Sequence, residues 1–344
     1  MKKTVIIAAG GTGGHVFPAI CVAKELQSQG FCIRFATDLR GAKYLGNFKN
    51  NAIIQNINTS SRLKLYISLS VNILKSLIYL LKKRPSMVIG FGGYPSVPFV
   101  FASQIIKIKT VIHEQNAVIG KANKLLSKMA NIIITSFKNV KNLKNTEKVF
   151  YVGNPTRYEK IYEDVKAPDN KIFTILIFGG SQGASVFSNE IADSICEVSK
   201  KHKVKIFQQG RVSDLEKIKQ KYDEAKIENI VSDFFENIDD IYQKSDLIIS
   251  RSGASSLFEI IGFKKPSILI PYKKSINGDQ EENAKFLKDS EAAIIIDETK
   301  ISVEEVSNII DNLIVNPNEL IKISQNIKKL KIENVTKKFI DLIS

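Results

Sequence analysis

Only three cysteines occur in the 344 residues, Cys21, Cys32 and Cys196. Their number is odd, no Cys-x-x-Cys pair is present and no histidine partners them at ligand spacing. A disulfide framework and a zinc site are therefore excluded as organising features. No Asp-x-Asp pair follows an apolar run, and no His/carboxylate cluster has metal-ligand spacing, so a metal-free chemistry with no cofactor is expected. Within residues 63–81 the uninterrupted apolar stretches are too short to span a bilayer, being interrupted by Ser68, Ser70, Asn72 and Lys75. Residues 1–9 lack the long apolar core and small-residue cleavage site of a signal peptide, which points to a cytoplasmic, reducing location.

The most informative absence is of negative charge. Not one carboxylate lies between Asp38 and Glu114, a stretch holding eleven Lys/Arg. Residues 1–160 carry 24 Lys/Arg against 5 Asp/Glu, whereas residues 161–344 carry 26 against 30. A compositional bias of the genome would affect both halves alike. The N-terminal half is therefore expected to sit near something anionic, either nucleic acid or an acidic membrane leaflet.

Short apolar runs alternate with helical patterns from end to end. Expected strands lie at 4–9, 32–36, 87–91, 110–113, 132–135 and 148–152, then at 173–178, 204–208, 230–232, 247–250, 267–271 and 293–296. Helical periodicity lies between them, for example at 18–29 and 185–199. This alternation predicts an α/β protein with parallel sheets built from βαβ units. A polar stretch at 158–170 marks a linker, giving domains at 1–160 and 161–329, with a last helix near 330–344 able to return to the first. Residues 63–81 repeat apolar side chains near a helical period among Lys64, Lys75, Lys82, Lys83 and Arg84. That helix either packs on the sheet or dips its outer side into a bilayer surface.

Two segments share one local design. The run Thr4–Ala9 feeds Gly10-Gly11-Thr12-Gly13-Gly14-His15, and Phe173–Phe178 feeds Gly179-Gly180-Ser181-Gln182-Gly183-Ala184. A strand, a glycine turn and a helix N-terminus present unpaired N–H groups and a positive dipole end to an anion. Two such copies suggest two α/β domains facing a shared cleft. The first loop is not a Walker loop, and Val16 replaces the third glycine of a dinucleotide fingerprint. A nicotinamide oxidoreductase, with Asp38 on the ribose, stays open as an alternative, as does a non-enzymatic basic membrane-surface protein. His15 follows the glycines as either general base or helix cap. Gly90-Phe91-Gly92-Gly93-Tyr94-Pro95-Ser96 is a second diphosphate cradle or an ordinary βα turn. His113-Glu114-Gln115-Asn116 forms either a site or an orienting hydrogen-bond network, and His202, among lysines, reads as a solvated surface residue. Glu259, near a helix start in Ser250–Glu259, suits ribose hydroxyls or merely complements the dipole. Gln280 in Gly278–Asn283 suits sugar hydroxyls or is a solvated helix start.

Taken together, the runs GGTGGHVFPA (10–19), GFGGYPSVP (90–98), HEQN (113–116), GNPTR (153–157), GGSQGA (179–184), SRSGASSLFE (250–259) and GDQEENA (278–284) resemble the GT-B glycosyltransferases of family 28. They occur in the family's order over nearly the whole chain. The resemblance implies two Rossmann-like domains and an inverting enzyme of peptidoglycan synthesis, serving cell-wall biogenesis, cell shape and division. It would move N-acetylglucosamine from UDP-GlcNAc to the C4 hydroxyl of undecaprenyl-pyrophosphoryl-MurNAc-pentapeptide. It also implies peripheral attachment to the cytoplasmic face of an anionic membrane, and no nucleic acid as partner. Carried over residue by residue, Arg157 and Ser181 would contact the donor diphosphate and the backbone of Phe235 the uracil. Ala254, Ser255, Ser256, Leu257, Phe258 and Glu259 would hold phosphate and ribose, and Gln280 the sugar. Thr12, Gly13, Gly14 and Asn116 would complete the donor site. The acceptor diphosphate would lie near Gly11, Gly92, Gly93 and Tyr94, with His15 as the proposed catalytic base.

Overall fold

The computed structural model describes residues 3–144, 146–158, 172–179 and 185–344. The chain divides into two compact units, Met1–Glu159 together with Ile332–Ser344, and Lys160–Lys331. Each is built on one all-parallel sheet.

In the first unit the strands are β1 (Thr4–Ala8), β2 (Cys32–Thr37), β3 (Ile53–Ile54), β4 (Met87–Gly90), β5 (Lys109–Glu114), β6 (Ile132–Thr135) and β7 (Val149–Tyr151), in the spatial order β3-β2-β1-β4-β5-β6-β7. Val5 and Ile7 of β1 enter one core, with Val16, Phe35 and Phe91, while Ile6 and Ala8 enter the other, with Val88, Val100 and Ile112. Alternation across a strand explains the division, and burial on both faces explains why these strands read as unbroken apolar runs. The two-residue β3 escaped the sequence reading because so short a run carries no period. The helix Val335–Ile343 packs on the helix Gly13–Ser28, placing Phe339 stacked on Phe91 with centroids 5.7 Å apart.

The helix Arg62–Lys83 inverts the usual pattern. Its buried residues are Asn72, Ser76 and Leu80, and the Asn72 amide donates to the carbonyls of Asn56 (3.1 Å) and Ser68 (2.7 Å). Leu63, Tyr66 and Leu74 are 69%, 66% and 59% exposed, and Ile67, Val71, Ile78 and Leu81 join them along the outer side.

The second unit holds β8 (Phe173–Phe178), β9 (Val204–Gln209), β10 (Glu228–Ser232), β11 (Leu247–Ser250), β12 (Ser267–Leu269) and β13 (Ile294–Ile295), ordered β10-β9-β8-β11-β12-β13. The helix expected over 185–199 runs unbroken there, with a π-turn, Phe187–Ile191, leading into the α-helix Ala192–Ser199. Strand order reverses between β1 and β4 in the first sheet and between β8 and β11 in the second. Ligands of open α/β sheets bind outside the strand ends at such switch points. The glycine-rich runs after β1 and β4 flank the first reversal, and the small-residue run after β11 lies beside the second.

Candidate functional site

In the first unit the switch point is built by two loops pressed together. A β-carbon on Gly10 would stand 2.6 Å from Pro95, and one on Gly93 2.8 Å from the Gly10 carbonyl oxygen. Gly92 and Gly93 have φ of +87° and +74°, which only glycine adopts without strain. From outside, the Gln55 amide donates to the Pro95 carbonyl at 2.5 Å, and the Ser96 hydroxyl to the Gly93 carbonyl at 2.8 Å. The half-buried Tyr94 rides on this loop.

Thr12, in extended conformation, caps the helix Gly13–Ser28, so Gly13 and Gly14 occupy its first turn, where backbone N–H groups point out of the helix. Gly11 departs from the expected free anion donor. Its N–H donates to Asp38 Oδ1 at 3.0 Å. Asp38 also accepts from the Gly41 N–H at 2.9 Å and from Arg40 Nε at 2.9 Å. Burial opposes its charge, but these two amides and the guanidinium hold the carboxyl below the usual range. Asp38 therefore braces the loop from within, which also removes it as a ribose ligand of the nicotinamide alternative.

His15 is half-buried, its ring edge 3.0 Å from where a Gly92 β-carbon would stand and its Nδ1 3.4 Å from Thr12 Oγ1. Burial lowers its pKa to about 4, against the pull of the Asp38 charge and a hydrogen bond with the Gly10 backbone. At neutral pH the ring is uncharged and one nitrogen keeps its lone pair.

The four polar residues that end β5 separate into one accessible group and three buried ones. His113, Glu114 and Gln115 are 0%, 2% and 2% exposed, whereas Asn116 is half-buried. The Gln115 amide donates to the Phe91 carbonyl (2.8 Å) and to His113 Nδ1 (3.1 Å). This places the imidazole proton on Nε2, which faces Ser136 Oγ at 3.1 Å and the Gly153 carbonyl at 3.4 Å. Burial lowers the His113 pKa to about 3. Glu114 accepts from the amides of Asn116 (3.1 Å) and Gly120 (2.9 Å) and from Asn123 Nδ2 (2.9 Å), while burial raises its pKa. The motif is thus mainly an internal network, which the half-buried Asn116 joins through a side-chain hydrogen bond to Glu114. The exposed Arg157 guanidinium lies 4.1 Å over the Phe17 ring, and Phe17 in turn closes on Gly13.

In the second unit Ser181 falls outside the described residues. Phe235 is buried edge-on to Phe207, with centroids 6.4 Å apart, so its side chain anchors the backbone expected to meet uracil. The helix Ala254–Phe263 starts from an extended Gly253. Ala254, Leu257 and Phe258 turn inward, while Ser255, Ser256 and Glu259 are half-buried. Within the run 254–259, then, side-chain chemistry belongs to these last three and the others can offer only backbone. The Tyr242 hydroxyl points to Glu259 Oε2 at 3.5 Å. Gln280 opens the helix Asp279–Lys288 after two left-handed residues, Asn277 and Gly278. Its Oε1 accepts the Tyr272 N–H at 3.0 Å, so the carboxamide offers its NH2 end outward. Arg251, unmarked by sequence reasoning beyond its place in a matching run, is buried beneath this loop. His202 is no free surface residue: its Nε2 lies 2.6 Å from Asp311 Oδ1.

Residues 5–135 match the glycosyltransferase family 28 N-terminal domain and residues 174–339 the family 28 C-terminal domain. The chain is 38% identical to the UDP-N-acetylglucosamine–N-acetylmuramyl-(pentapeptide) pyrophosphoryl-undecaprenol N-acetylglucosamine transferase of Rickettsia felis, over 97% of this chain and 96% of that protein. It is 34% identical to the Wolbachia pipientis wMel transferase of the same name, over 98% of each. Among solved structures, MurG of Acinetobacter baumannii superposes with a TM-score of 0.82 at 27% identity, covering 99% of both chains. A Neisseria meningitidis UDP-GlcNAc 2-epimerase, at 14% identity and TM-score 0.71, shares the fold.

Proposed function

The chain belongs to glycosyltransferase family 28, and from that membership we propose how its residues carry the family's reaction. The protein is an N-acetylglucosaminyltransferase of peptidoglycan synthesis. It transfers the sugar of UDP-N-acetylglucosamine to undecaprenyl-pyrophosphoryl-MurNAc-pentapeptide. The acceptor C4 oxygen forms a bond to the anomeric carbon as the bond from that carbon to the UDP oxygen breaks, with inversion. The hydroxyl proton passes to a base, and UDP departs as an anion.

One observation supports the assignment of roles: the runs after β1, β4 and β11 stand at the switch points of the two parallel sheets, and those after β1 and β11 open α-helices. In the second unit, the start of the helix Ala254–Phe263 faces phosphate with its backbone, and Glu259 receives the ribose hydroxyls. The Phe235 backbone meets uracil, and the Gln280 NH2 donates to a sugar hydroxyl. In the first unit, Gly92–Tyr94 and the first-turn amides at Thr12–Gly14 cradle diphosphate, and Asn116 offers a hydrogen-bonding amide. Arg157 supplies the cation that meets charge developing on phosphate. The neutral His15 accepts the proton.

The outer face of the helix Arg62–Lys83 rests on the anionic cytoplasmic leaflet. Supporting this are its exposed apolar ridge, its inward-turned Asn72 and Ser76, and the flanking Lys64, Lys75, Lys82, Lys83 and Arg84. A helix lying in the interface plane with basic flanks gains both apolar burial and attraction to acidic lipid.

The donor reading is tested by calorimetry with UDP. Glu259→Ala is expected to weaken binding roughly ten- to hundredfold, the cost of one charged hydrogen-bond acceptor. Wild-type affinity in that variant would remove Glu259 from the ribose.

A further inference from the structure

The chemistry above leaves Arg251 unused, yet this side chain is 5% exposed directly after β11. A buried guanidinium persists only when paired and hydrogen-bonded. Here Nη1 donates to the Ile270 carbonyl at 2.9 Å, and Nη2 is paired with the Glu298 carboxylate. The guanidinium carbon lies 5.3 Å from the ring centre of Phe187 and 5.2 Å from that of Tyr272. Phe187 opens the π-turn Phe187–Ile191. Tyr272 begins the loop whose backbone N–H holds Gln280 Oε1 at 3.0 Å. Glu298 also receives the N–H of Lys273 at 3.4 Å, so one carboxylate grips both the arginine and the residue after Tyr272. The neighbouring Ser252 hydroxyl donates to the Gln280 carbonyl at 2.7 Å.

We infer that Arg251 is a positioning residue for recognition of the transferred sugar: through Glu298 and the Tyr272 ring it fixes the backbone that turns the Gln280 NH2 toward that sugar. This rests on the reading of Gln280 as a sugar contact. A carboxamide offers a donor at one end and an acceptor at the other, and which end faces a ligand depends on what holds the opposite end. The Tyr272 N–H makes that choice here, and Arg251 keeps Tyr272 in place. A lysine cannot replace it, because an ammonium lacks both the flat face that stacks on rings and the paired donors that reach Ile270 and Glu298 together.

The test is calorimetry of UDP-GlcNAc and of UDP, without acceptor, on the full chain. The variants are Arg251→Lys, Tyr272→Leu, Tyr272→Phe, Gln280→Ala and the double variant Arg251→Lys/Gln280→Ala. Loss of one oriented hydrogen bond lowers UDP-GlcNAc affinity about tenfold in Arg251→Lys, Tyr272→Leu and Gln280→Ala. UDP affinity stays within about twofold, which also reports that each variant is folded. Tyr272→Phe, which keeps the ring, matches the wild type. The double variant is no weaker than Gln280→Ala alone, because both substitutions remove the same contact. Equal losses for UDP and UDP-GlcNAc in Arg251→Lys, or additive losses in the double variant, overturn the inference and leave the Gln280 contact standing. Unchanged UDP-GlcNAc affinity in Gln280→Ala overturns the contact itself and this inference with it.

Discussion

The Gly10 carbonyl oxygen lies 2.8 Å from the point where a β-carbon on Gly93 would stand, and Gly93 sits at φ +74°. At this point the two loops at the first switch point touch backbone to backbone, leaving no room for a side chain on Gly93. Gly93→Ala is expected to strain the loop by about 1–3 kcal/mol and to raise the KM for the lipid acceptor more than that for UDP-GlcNAc. Thermal melts and paired KM measurements check this; equal rises in both KM values would place the damage elsewhere.

Asp38 braces the same loop from below through the amides of Gly11 and Gly41. Asp38→Ala leaves those donors unpaired, at a cost of about 1–3 kcal/mol for each one that water does not reach. Asp38→Asn, which retains one acceptor oxygen, is expected to lose less. Urea midpoints for the two variants should rank in that order, and equal midpoints would contradict the bracing role.

His15→Gln keeps hydrogen-bonding capacity near Thr12 but has no basic nitrogen. If the imidazole takes the acceptor proton, kcat falls about 100-fold, a usual share for general base catalysis, while the UDP-GlcNAc KM changes little. An unaltered kcat would reduce His15 to a structural cap.

Both imidazoles titrate below the ordinary value of 6.5, the half-buried His15 at about 4 and the buried His113 at about 3. Between those limits the unfolded chain binds more protons than the folded one. Their contribution to stability is therefore complete above pH 6.5 and is lost as pH falls toward 4 and then 3. Each histidine adds a slope of about 1.4 kcal/mol per pH unit in that window. Replacing His113 with Gln should flatten the decline between pH 6 and 5 by about that amount, as read from urea unfolding at each pH. An identical slope in wild type and variant would mean that His113 is not held neutral.

Leu74→Ser with Ile78→Ser removes two members of the exposed ridge on Arg62–Lys83 without touching its buried residues. Flotation with vesicles rich in acidic lipid should fall tenfold or more, at about 1.5–3 kcal/mol per apolar side chain, while melting temperature holds. Equal flotation of the wild type on neutral and on acidic vesicles would discount the basic flanks.

Much of this was legible in the sequence because parallel strands buried on both faces read as unbroken apolar runs, and the loops that follow β1 and β4 announce themselves in glycine. The helix Val335–Ile343 falls within the 330–344 expected for a last helix able to return to the first unit. What stayed hidden was pairing. Gly11 looked like a free donor because nothing in its run reveals that Asp38, 27 residues away, takes its N–H. Arg251 looked like one letter of a motif because its partners Ile270, Tyr272 and Glu298 come together only when the sheet forms. His202 sat among lysines and gave no hint of Asp311. The π-turn at Phe187 leaves no periodic trace, since one extra residue in a turn shifts the pattern too little to read.

The helix Val335–Ile343 supplies Val335, Phe339, Ile340 and Ile343 to the core of the first unit, and Phe339 meets both Phe91 and His113. The first unit, begun first, is thus closed only after the second has been made. While the ribosome is still producing the second unit, the first waits with an open hydrophobic seat beneath His113. That seat is filled only when residues 335–343 emerge, after the whole of the second unit, so the first core closes after the second has been made.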